Sequence, residues 1–319
     1  MQKLSISAGI VAAVIAAVAF GASGPLVKPL LDAGWSPSAA VTARALTGGI
    51  ALLPVALFML RGRWAALWRA RWRILLMGVI GVAFTQLAFF AAIQTIPVST
   101  ANLIELLAPV LLVIVVALRT RRMPRPLVLL GSVLAVGGLI LVIGPGALRA
   151  VDPVGLTFAF LSLVGCAIYF VVAALPSDGL PPVAFASFGL IVGGLTLALL
   201  SVTRILPFTA TFDAVPMYGN SAPWWLPLVL VAIISTALAY AAGITAAGAL
   251  GSRLASFVGL LEVVFSSLFA WLLLGQALTP LQLLGGLLIL GGITAVRAER
   301  ADPATAASEP LEPASVRAP

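Results

Sequence analysis

Long apolar runs, separated by short polar or basic connections, dominate this chain of 319 residues. A helix that crosses a lipid bilayer needs about 20 apolar residues. Ten runs are close to this length or exceed it, so the pattern predicts an all-α integral membrane protein with ten transmembrane helices. The predicted spans are residues 5–31, 37–60, 74–92, 99–118, 126–143, 153–175, 182–202, 226–245, 250–274 and 280–296.

The first apolar run follows Met1 and Lys3 and allows two interpretations. Residues 19–24, Ala-Phe-Gly-Ala-Ser-Gly, resemble the cleavage site of a signal peptide. A retained helix is favoured, because the run continues past Pro25 to Lys28.

The two halves of the sequence repeat each other. A shift of 154 residues places 101–138 over 255–292 without a gap, and earlier in each half the matching shift is 145 residues. Leucine matches between membrane helices carry little information, whereas shared glycines and prolines carry more. The shared positions are Pro126 with Pro280, Gly131 with Gly285, Gly137 with Gly291, Gly138 with Gly292, Gly34 with Gly179, Pro37 with Pro182, Gly48 with Gly193 and Gly49 with Gly194.

Each half contains five predicted spans, and an odd number inserts the second half upside down relative to the first. The sequence therefore predicts two inverted five-helix repeats, residues 1–147 and 148–297. Inverted repeats are typical of secondary transporters, which bind their substrate near the membrane midplane. An old duplication without transport is the alternative. Residues 298–319 lack an apolar period and are predicted to form a disordered cytoplasmic tail.

The composition agrees with a membrane protein, since 62% of the residues are hydrophobic and only 9% are charged. The net charge of +8 does not indicate nucleic-acid binding, because the arginines cluster at helix ends. The single cysteine, Cys166, excludes an intrachain disulfide, and the lack of histidine excludes histidine-ligated metals. The chain has no phosphate-binding GxxxxGKS/T motif. We therefore predict no cofactor, enzyme activity or ATP-driven pumping, and energy would come from an ion gradient.

Basic residues in short loops predict the orientation, since such residues are retained on the cytoplasmic side. With the N-terminus inside, most loop arginines are cytoplasmic and both termini face the cytoplasm. Trp64, Trp68 and Trp72 recur every fourth residue among the arginines and predict a short helix lying in the inner interface. The cytoplasmic basic residues are Lys3, Arg61, Arg63, Arg69, Arg71, Arg73, Arg119, Arg121, Arg122, Arg125, Arg253, Arg297, Arg300 and Arg317, while Arg149 and Arg204 are left outside.

Four charged residues lie within the spans and away from the cytoplasmic helix ends: Lys28, Arg44, Glu105 and Glu262. Charges inside a membrane are costly, so each is a candidate functional residue. With about 1.5 Å of rise per residue, Arg44 and Glu105 lie at similar depths, about 10 Å below the outer helix ends. They could form an ion pair, which either positions helices or binds a zwitterion.

Glu262 lies about 16 Å from the inner surface, near the midplane. No basic residue is evident at its level in the sequence. Desolvation there disfavours a charged carboxylate, which makes Glu262 a candidate proton carrier or a partner for a substrate ammonium. The alternative is a protonated or hydrogen-bonded packing residue. Lys28 lies close enough to the outer interface to snorkel and is the weakest candidate.

Uncharged polar residues mark a predicted cavity wall. Gln86 and Tyr240 occupy equivalent positions in the two halves, and so do Asn102 and Ser256. A lone polar residue in a spanning helix is more often a helix-packing hydrogen bond, but two symmetric pairs also fit a cavity. The possible apolar cavity residues are Phe84, Phe89, Phe90 and Tyr169.

Several short motifs are similar to those of one transporter family. They are Phe20-Gly21-Ala22-Ser23, Thr42-Ala43-Arg44, Ala92-Ile93-Gln94-Thr95-Ile96-Pro97, Asn102-Leu103-Ile104-Glu105, Ala108-Pro109, Ser235-Thr236-Ala237-Leu238, Leu261-Glu262 and Leu274-Gly275-Gln276-Ala277-Leu278-Thr279-Pro280. On these motifs, residues 5–296 resemble the ten-span EamA-type members of the drug/metabolite transporter superfamily, and among them most of all the bacterial threonine/homoserine exporters. Two positions depart from the family pattern: Val263 stands where proline is usual, and Gln276 where glutamate is frequent.

The resemblance implies export of small amino acids or related metabolites from the bacterial cytoplasm across the inner membrane, driven by protons. It also implies a central cavity lined mainly by spans 1, 3, 4, 6, 8 and 9, with spans 5 and 10 outside. The implied partners are a small-molecule substrate, protons and the lipid bilayer, and the oligomeric state is left open. Two other hypotheses stay open: a transporter of the same fold for drugs, nucleosides or other metabolites, and a membrane scaffold or sensor without transport.

Overall fold

The computed structural model describes residues 5–92, 95–96, 101, 104–143, 152–176, 179–275 and 279–301. The α-helices are α1 (Ile6–Gly21), α2 (Ser23–Asp32), α3 (Pro37–Met59), α4 (Trp64–Arg69), α5 (Arg71–Leu76), α6 (Thr85–Ala92), α7 (Ala108–Thr120), α8 (Pro126–Ile143), α9 (Pro153–Ala174), α10 (Pro182–Val202), α11 (Trp225–Ala232), α12 (Ala239–Gly259), α13 (Leu261–Leu274) and α14 (Pro280–Ala301). Two π-helical segments, Met77–Phe84 and Ile233–Leu238, precede α6 and α12. The strands are β1 (Val215–Met217) and β2 (Asn220–Ala222).

Polar caps and prolines fix where two of the long helices begin. Ser36 Oγ accepts a hydrogen bond from the backbone N–H of Ala39 at 3.2 Å, and the Asp152 carboxylate accepts one from Gly155 at 3.0 Å. The residue after each cap is a proline, which lacks an N–H and has a φ suited to the first helical turn. These local signals explain why α3 and α9 begin where the sequence predicts.

Six helical stretches are long and apolar enough to cross a bilayer, and four shorter apolar helices accompany them in the described part of the chain. The protein is therefore a multi-pass helical membrane protein. The long stretches are Ile6–Asp32, Pro37–Met59, Arg71–Ala92, Pro153–Ala174, Pro182–Val202 and Trp225–Gly259, and the shorter ones are Ala108–Thr120, Pro126–Val142, Leu261–Leu273 and Pro280–Val296. The predicted fourth span begins in residues that lie partly outside the described ranges.

Two predicted spans contain breaks that the sequence did not reveal. The first bends at Ala22, between α1 and α2, and the ninth is interrupted at Leu260, between α12 and α13. The turn between the predicted eighth and ninth spans falls at Gly251, whose φ of 77° favours glycine. The last helix continues past its predicted end at Val296 to Ala301, because Arg, Ala and Glu are strong helix formers. The start of the predicted disordered tail is thus helical, and the rest lies outside the described residues.

The chain is helical as predicted, apart from one small β-hairpin. Strands β1 and β2 pair antiparallel within the 203–224 connection, which joins α10 to α11. The two residues of their loop, Tyr218 and Gly219, have positive φ of 49° and 84°. Two consecutive positive φ values are typical of the hairpin turn whose twist matches that of paired strands. The strands are only three residues long, too short for an alternating pattern to reveal them.

Three helix pairs dominate the packing: α1 against α12, α3 against α10, and α8 against α14. In the α8–α14 pair the two backbones touch through glycines. A Cβ on Gly131 would lie 2.8 Å from the carbonyl oxygen of Gly292, and a Cβ on Gly138 would lie 2.5 Å from the carbonyl oxygen of Gly285. Only glycine permits so close an approach, which is typical of tightly crossing membrane helices.

The tryptophan-rich segment after α3 folds as two short helices where one was predicted. Helices α4 and α5 are separated at Ala70, and the side chains of Trp64, Trp68 and Trp72 are 54%, 71% and 68% exposed. The Arg71 guanidinium lies 4.7 Å from the centroid of the Trp68 ring. Exposed aromatic rings beside arginines fit the predicted position at a lipid–water interface.

Candidate functional site

A cavity of about 650 Å³ lies between the two halves of the chain. Spans 1, 3, 4, 6, 8 and 9 all contribute to its wall, as the family resemblance implies. Two contributions differ from that expectation: α3, the second span, supplies Arg44, and the fifth span supplies Val142. The cavity is of a size that is usual for small-molecule sites.

The exposed lining residues of the cavity lie in α2, near the end of the bundle where α2 is followed by α3, and we call this end the mouth. Its mouth is lined by Gly24, Val27, Leu31 and Pro37, of which Gly24 and Leu31 are exposed. Its other end reaches Ser256, which is buried. The arginine-rich connection follows the opposite end of α3, so the mouth and these arginines lie at opposite ends of the bundle.

Both glutamates line the cavity and lie beside breaks in their helices. Glu105 comes shortly before α7, which begins at Ala108, and Glu262 is the second residue of α13. The two carboxylates are near enough to influence each other electrostatically. Like charges that share a site are unfavourable, so a cation or a proton is favoured there. The described residues contain no group of three or more side chains suited to binding a metal ion.

Arg44 lies in the same cavity but does not pair with Glu105, which corrects the predicted ion pair. Its guanidinium donates a hydrogen bond to Ser23 Oγ at 2.7 Å, and it lines the same cavity as Glu262 and Tyr240. The predicted pair rests on depth along each helix, which ignores how each helix is rotated about its axis. The position of Arg44 on the cavity wall puts a cation in the same cavity as Glu262, which the sequence did not reveal.

We expect the cost of replacing Arg44 to depend on Glu262 and not on Glu105. Arg44→Gln should lower the melting temperature, because Glu262 loses the electrostatic attraction of the guanidinium. The same substitution should cost less in a Glu262→Gln background, by on the order of 1 kcal/mol, and should cost the same in a Glu105→Gln background. Thermal unfolding of the purified variants, followed by tryptophan fluorescence, measures the cost of Arg44→Gln in each background. A dependence on Glu105 as large as that on Glu262 would contradict this placement.

Three other predicted site residues differ in where they lie relative to the cavity. Lys28 does not line the cavity. Its Nζ forms an ion pair at 2.9 Å with Asp32, one helical turn away, and both side chains are exposed. Ser256 does line the cavity, but its Oγ donates to the carbonyl oxygen of Arg253 at 2.8 Å. Asn102 lies outside the described residues.

The two π-helical segments lead directly to Gln86 and Tyr240, which both lie on the cavity wall. Thr85 and Thr236 each donate a hydrogen bond to the carbonyl oxygen five residues earlier, at 2.8 Å and 3.0 Å. A π-helical turn inserts a residue and rotates the side chains that follow it, and such turns are frequent at functional sites. The equivalence of Gln86 and Tyr240 in the sequence thus extends to the backbone around them.

Tyr240 belongs to an aromatic cluster on the cavity wall. Its ring centroid lies 5.3 Å from that of Phe20 and 5.7 Å from that of Tyr169, and Tyr169 lies 5.1 Å from Phe170. All three pairs are edge-to-face, which is the arrangement that aromatic quadrupoles favour. The buried hydroxyl of Tyr169 has no hydrogen-bond partner within the described part of the chain. That hydroxyl can therefore serve a ligand.

The aromatic residues proposed from the sequence are partly correct, and two polar neighbours were missed. Phe89 and Phe90 line the cavity, whereas Phe84 does not. Ser23, the hydrogen-bond acceptor for Arg44, lies in the first motif of the family resemblance but was not singled out. Ser162 donates to the carbonyl oxygen of the cavity-lining Thr85 at 3.2 Å, but in the sequence it is only a lone hydroxyl in an apolar run.

Apolar helices that enclose an open, charged cavity define a membrane transporter. The chain belongs to the EamA-like transporter family, which it matches over residues 7–144 and 153–298. It is 26% identical over 297 residues to a protein of Salmonella typhimurium called "uncharacterized inner membrane transporter YicL", covering 89% of this chain and 93% of that protein. A solved crystal structure shares the fold, with a TM-score of 0.71 at 21% sequence identity, covering 93% of this chain and 99% of the other.

Proposed function

We propose that this protein is a secondary transporter that exports small amino acids, such as threonine and homoserine, or related metabolites across the bacterial inner membrane. Transport proceeds by alternating access and is coupled to protons. The observation that carries the proposal is the cavity of about 650 Å³ with Glu105, Glu262 and Arg44 on its wall. Charges are retained inside a membrane chiefly where they serve a substrate or ion pathway.

The charges of the cavity match those of an α-amino acid. Glu262 and Glu105 offer carboxylates to the substrate ammonium, and the Arg44 guanidinium offers paired donors to the substrate carboxylate. Ser23 accepts one of the Arg44 hydrogen bonds and so orients it. The free hydroxyl of Tyr169 supplies a further donor.

Proton coupling follows from competition for one carboxylate. A proton and a substrate ammonium cannot both occupy Glu262, so binding of one favours release of the other. An inward proton gradient then drives substrate outward. Glu105 is near enough to modulate this exchange through its own charge.

The proposal includes ten spans in two inverted five-helix repeats, and its support is the reciprocal contact between α8 and α14. The sequence shift pairs Gly131 with Gly285 and Gly138 with Gly292. In space, Gly131 approaches Gly292 and Gly138 approaches Gly285. A two-fold axis between the repeats exchanges partners in this way, as in an isologous interface.

With the arginine-rich connections in the cytoplasm, as the positive-inside rule requires, the mouth faces outward. Both termini are then cytoplasmic. The cavity described above is in this case the outward-open state, from which substrate is released. Export also requires an inward-open state in which the mouth is closed.

Transport by inside-out membrane vesicles tests the proposal, because export appears there as uptake. Vesicles that contain the protein should accumulate radiolabelled threonine or homoserine when the lumen is acidified, and a protonophore should abolish the uptake. Vesicles without the protein serve as the control. Uptake of a nucleoside or cationic drug in place of either amino acid would reject the substrate class, and no uptake of any probe would reject transport.

A second candidate, export of larger organic cations, is favoured by the aromatic cluster. Phe20, Tyr169 and Tyr240 present ring surfaces near two carboxylates, and aromatic faces attract cations. Competition by a quaternary ammonium compound against threonine uptake distinguishes the two. Strong competition favours the cation, and none favours the amino acid.

A further inference from the structure

Helix α2, which lines one side of the mouth, is weakened where it begins. Pro25 and Pro29 lack the N–H groups that would otherwise donate to the carbonyl oxygens of Gly21 and Pro25. Helix α1 ends at Gly21, and α2 starts at Ser23. Two hydrogen bonds missing from successive turns allow α2 to bend relative to α1.

The carbonyl oxygen that Pro29 leaves free is bonded instead to the β-hairpin of the second half. The Tyr218 hydroxyl donates to the Pro25 carbonyl oxygen at 2.8 Å. Tyr218 has a φ of 49°, as its place in the two-residue hairpin turn requires. Burial raises the pKa of Tyr218 above its ordinary value, so the phenol remains a donor at physiological pH.

The rest of the 203–224 connection is bonded to the loop at the other end of α2. Trp35 Nε1 donates to the Thr211 carbonyl oxygen at 2.7 Å, and the Thr211 hydroxyl donates to the Ala33 carbonyl oxygen at 2.9 Å. The Ser36 N–H donates to the Thr209 carbonyl oxygen at 2.9 Å. These bonds fix the loop end of α2, whereas the hairpin bond holds the end beside the proline-weakened bend.

We infer that Tyr218 is a positioning residue of the transport cycle: its hydrogen bond holds α2 where the mouth is open, and it breaks when the mouth closes. The inference rests on the proposed alternating access. Helix α2 carries Val27 and Leu31 of the mouth, so its position sets the width of the opening. It also carries Ser23, so the same movement changes the hydrogen bond of Arg44.

The accessibility of a thiol in the mouth tests this role. Cys166 is the one cysteine of the chain, so Cys166→Ala combined with Val27→Cys leaves a single thiol at the mouth. In lipid nanodiscs, its reaction with a charged methanethiosulfonate reagent should become about three- to tenfold slower after Tyr218→Phe, which corresponds to the loss of one ordinary hydrogen bond from the open state. Nanodiscs expose both membrane faces, so the result does not depend on orientation.

Thr203→Val is the matched control. Thr203 lies in the same connection, but its hydroxyl donates to the Leu200 carbonyl oxygen at 3.1 Å, within its own half. The reaction rate of this variant should equal that of the parent. A rate that Tyr218→Phe leaves unchanged or raises would overturn the inference.

A second variant distinguishes two roles of Tyr218: positioning α2, or only supplying a hydrogen-bond donor to the Pro25 carbonyl oxygen. Pro29→Ala, added to Tyr218→Phe, gives the Pro25 carbonyl oxygen a backbone donor again without restoring the link to the hairpin. It should restore the melting temperature but not the reaction rate, and recovery of the rate would overturn the positioning role. A slowed reaction in a protein that transports no amino acid would support the positioning role and reject the proposed substrate.

Discussion

Glu262→Gln is expected to lower proton-driven accumulation of radiolabelled threonine in inside-out vesicles by about tenfold or more, a barrier increase of at least about 1.4 kcal/mol. Glutamine has nearly the size of glutamate but cannot take up and release a proton, so the coupled half of the cycle fails. Exchange of labelled for unlabelled threonine, which moves no net protons, should fall less, because Glu105 still offers a carboxylate to the substrate ammonium. Initial uptake rates with an imposed gradient, and exchange rates without one, measure the two processes.

Ser267→Ala is the control for Glu262→Gln. Ser267 lies on the same helix and on the same cavity wall, but its hydroxyl donates to the Val263 carbonyl oxygen of its own helix at 3.0 Å. Both transport processes should survive this change. A Glu262→Gln protein that accumulates threonine as well as the parent, with the same pH dependence, would exclude Glu262 as the proton carrier.

Gly138→Ala is expected to destabilise the protein strongly through the crossing of α8 and α14. The new Cβ would lie 2.5 Å from the Gly285 carbonyl oxygen and 2.8 Å from the Ile289 nitrogen. These are backbone atoms, so the helices must separate, at a cost of about 1–3 kcal/mol or more. Alanine favours a helix over glycine by about 1 kcal/mol, which offsets only part of that cost. The change in melting temperature of the purified protein measures the outcome.

The neighbouring residue provides a matched control. A Cβ on Gly137 would meet nothing within 4 Å, so Gly137→Ala should leave the melting temperature unchanged or raise it. Gly291, its equivalent in the second half, would bring a Cβ only to 3.8 Å from Leu134 and should behave in the same way. Equal melting temperatures for Gly138→Ala and Gly137→Ala would show that this crossing does not hold the two helices together.

Six of the eight predicted site residues line one cavity, whereas depth along the helices did not predict how Arg44 is bonded. Glu105 and Glu262 stood out because a carboxylate within an apolar run is costly. Arg44 was found for the same reason, but among the described residues it forms no ion pair with Glu105. Depth along a helix leaves the rotation of the helix undetermined. Lys28 could have been set aside from sequence alone, because Asp32 lies four residues later and such pairs meet on a helix surface.

The 203–224 connection shows a different limit of sequence reasoning. A tyrosine before a glycine, at Tyr218 and Gly219, gives only a weak hairpin signal, since β-turns of this type favour Asn or Asp with Gly. Its contact with Pro25 joins positions 193 residues apart, and no local pattern encodes such a pair. The free carbonyl of Pro25, by contrast, follows directly from Pro29 in the sequence.

The sequence by itself determined that this protein is a helical membrane protein and where most of its helices lie. The reason is that a helix in lipid satisfies every backbone hydrogen bond within one segment, so local apolar length and caps are sufficient. Only the tertiary structure decided which helix faces meet, that Arg44 bonds to Ser23, and that α2 is tied to a hairpin of the other half. These features depend on helix rotation and on contacts between distant segments, where lipid-facing and cavity-facing apolar positions look alike in sequence.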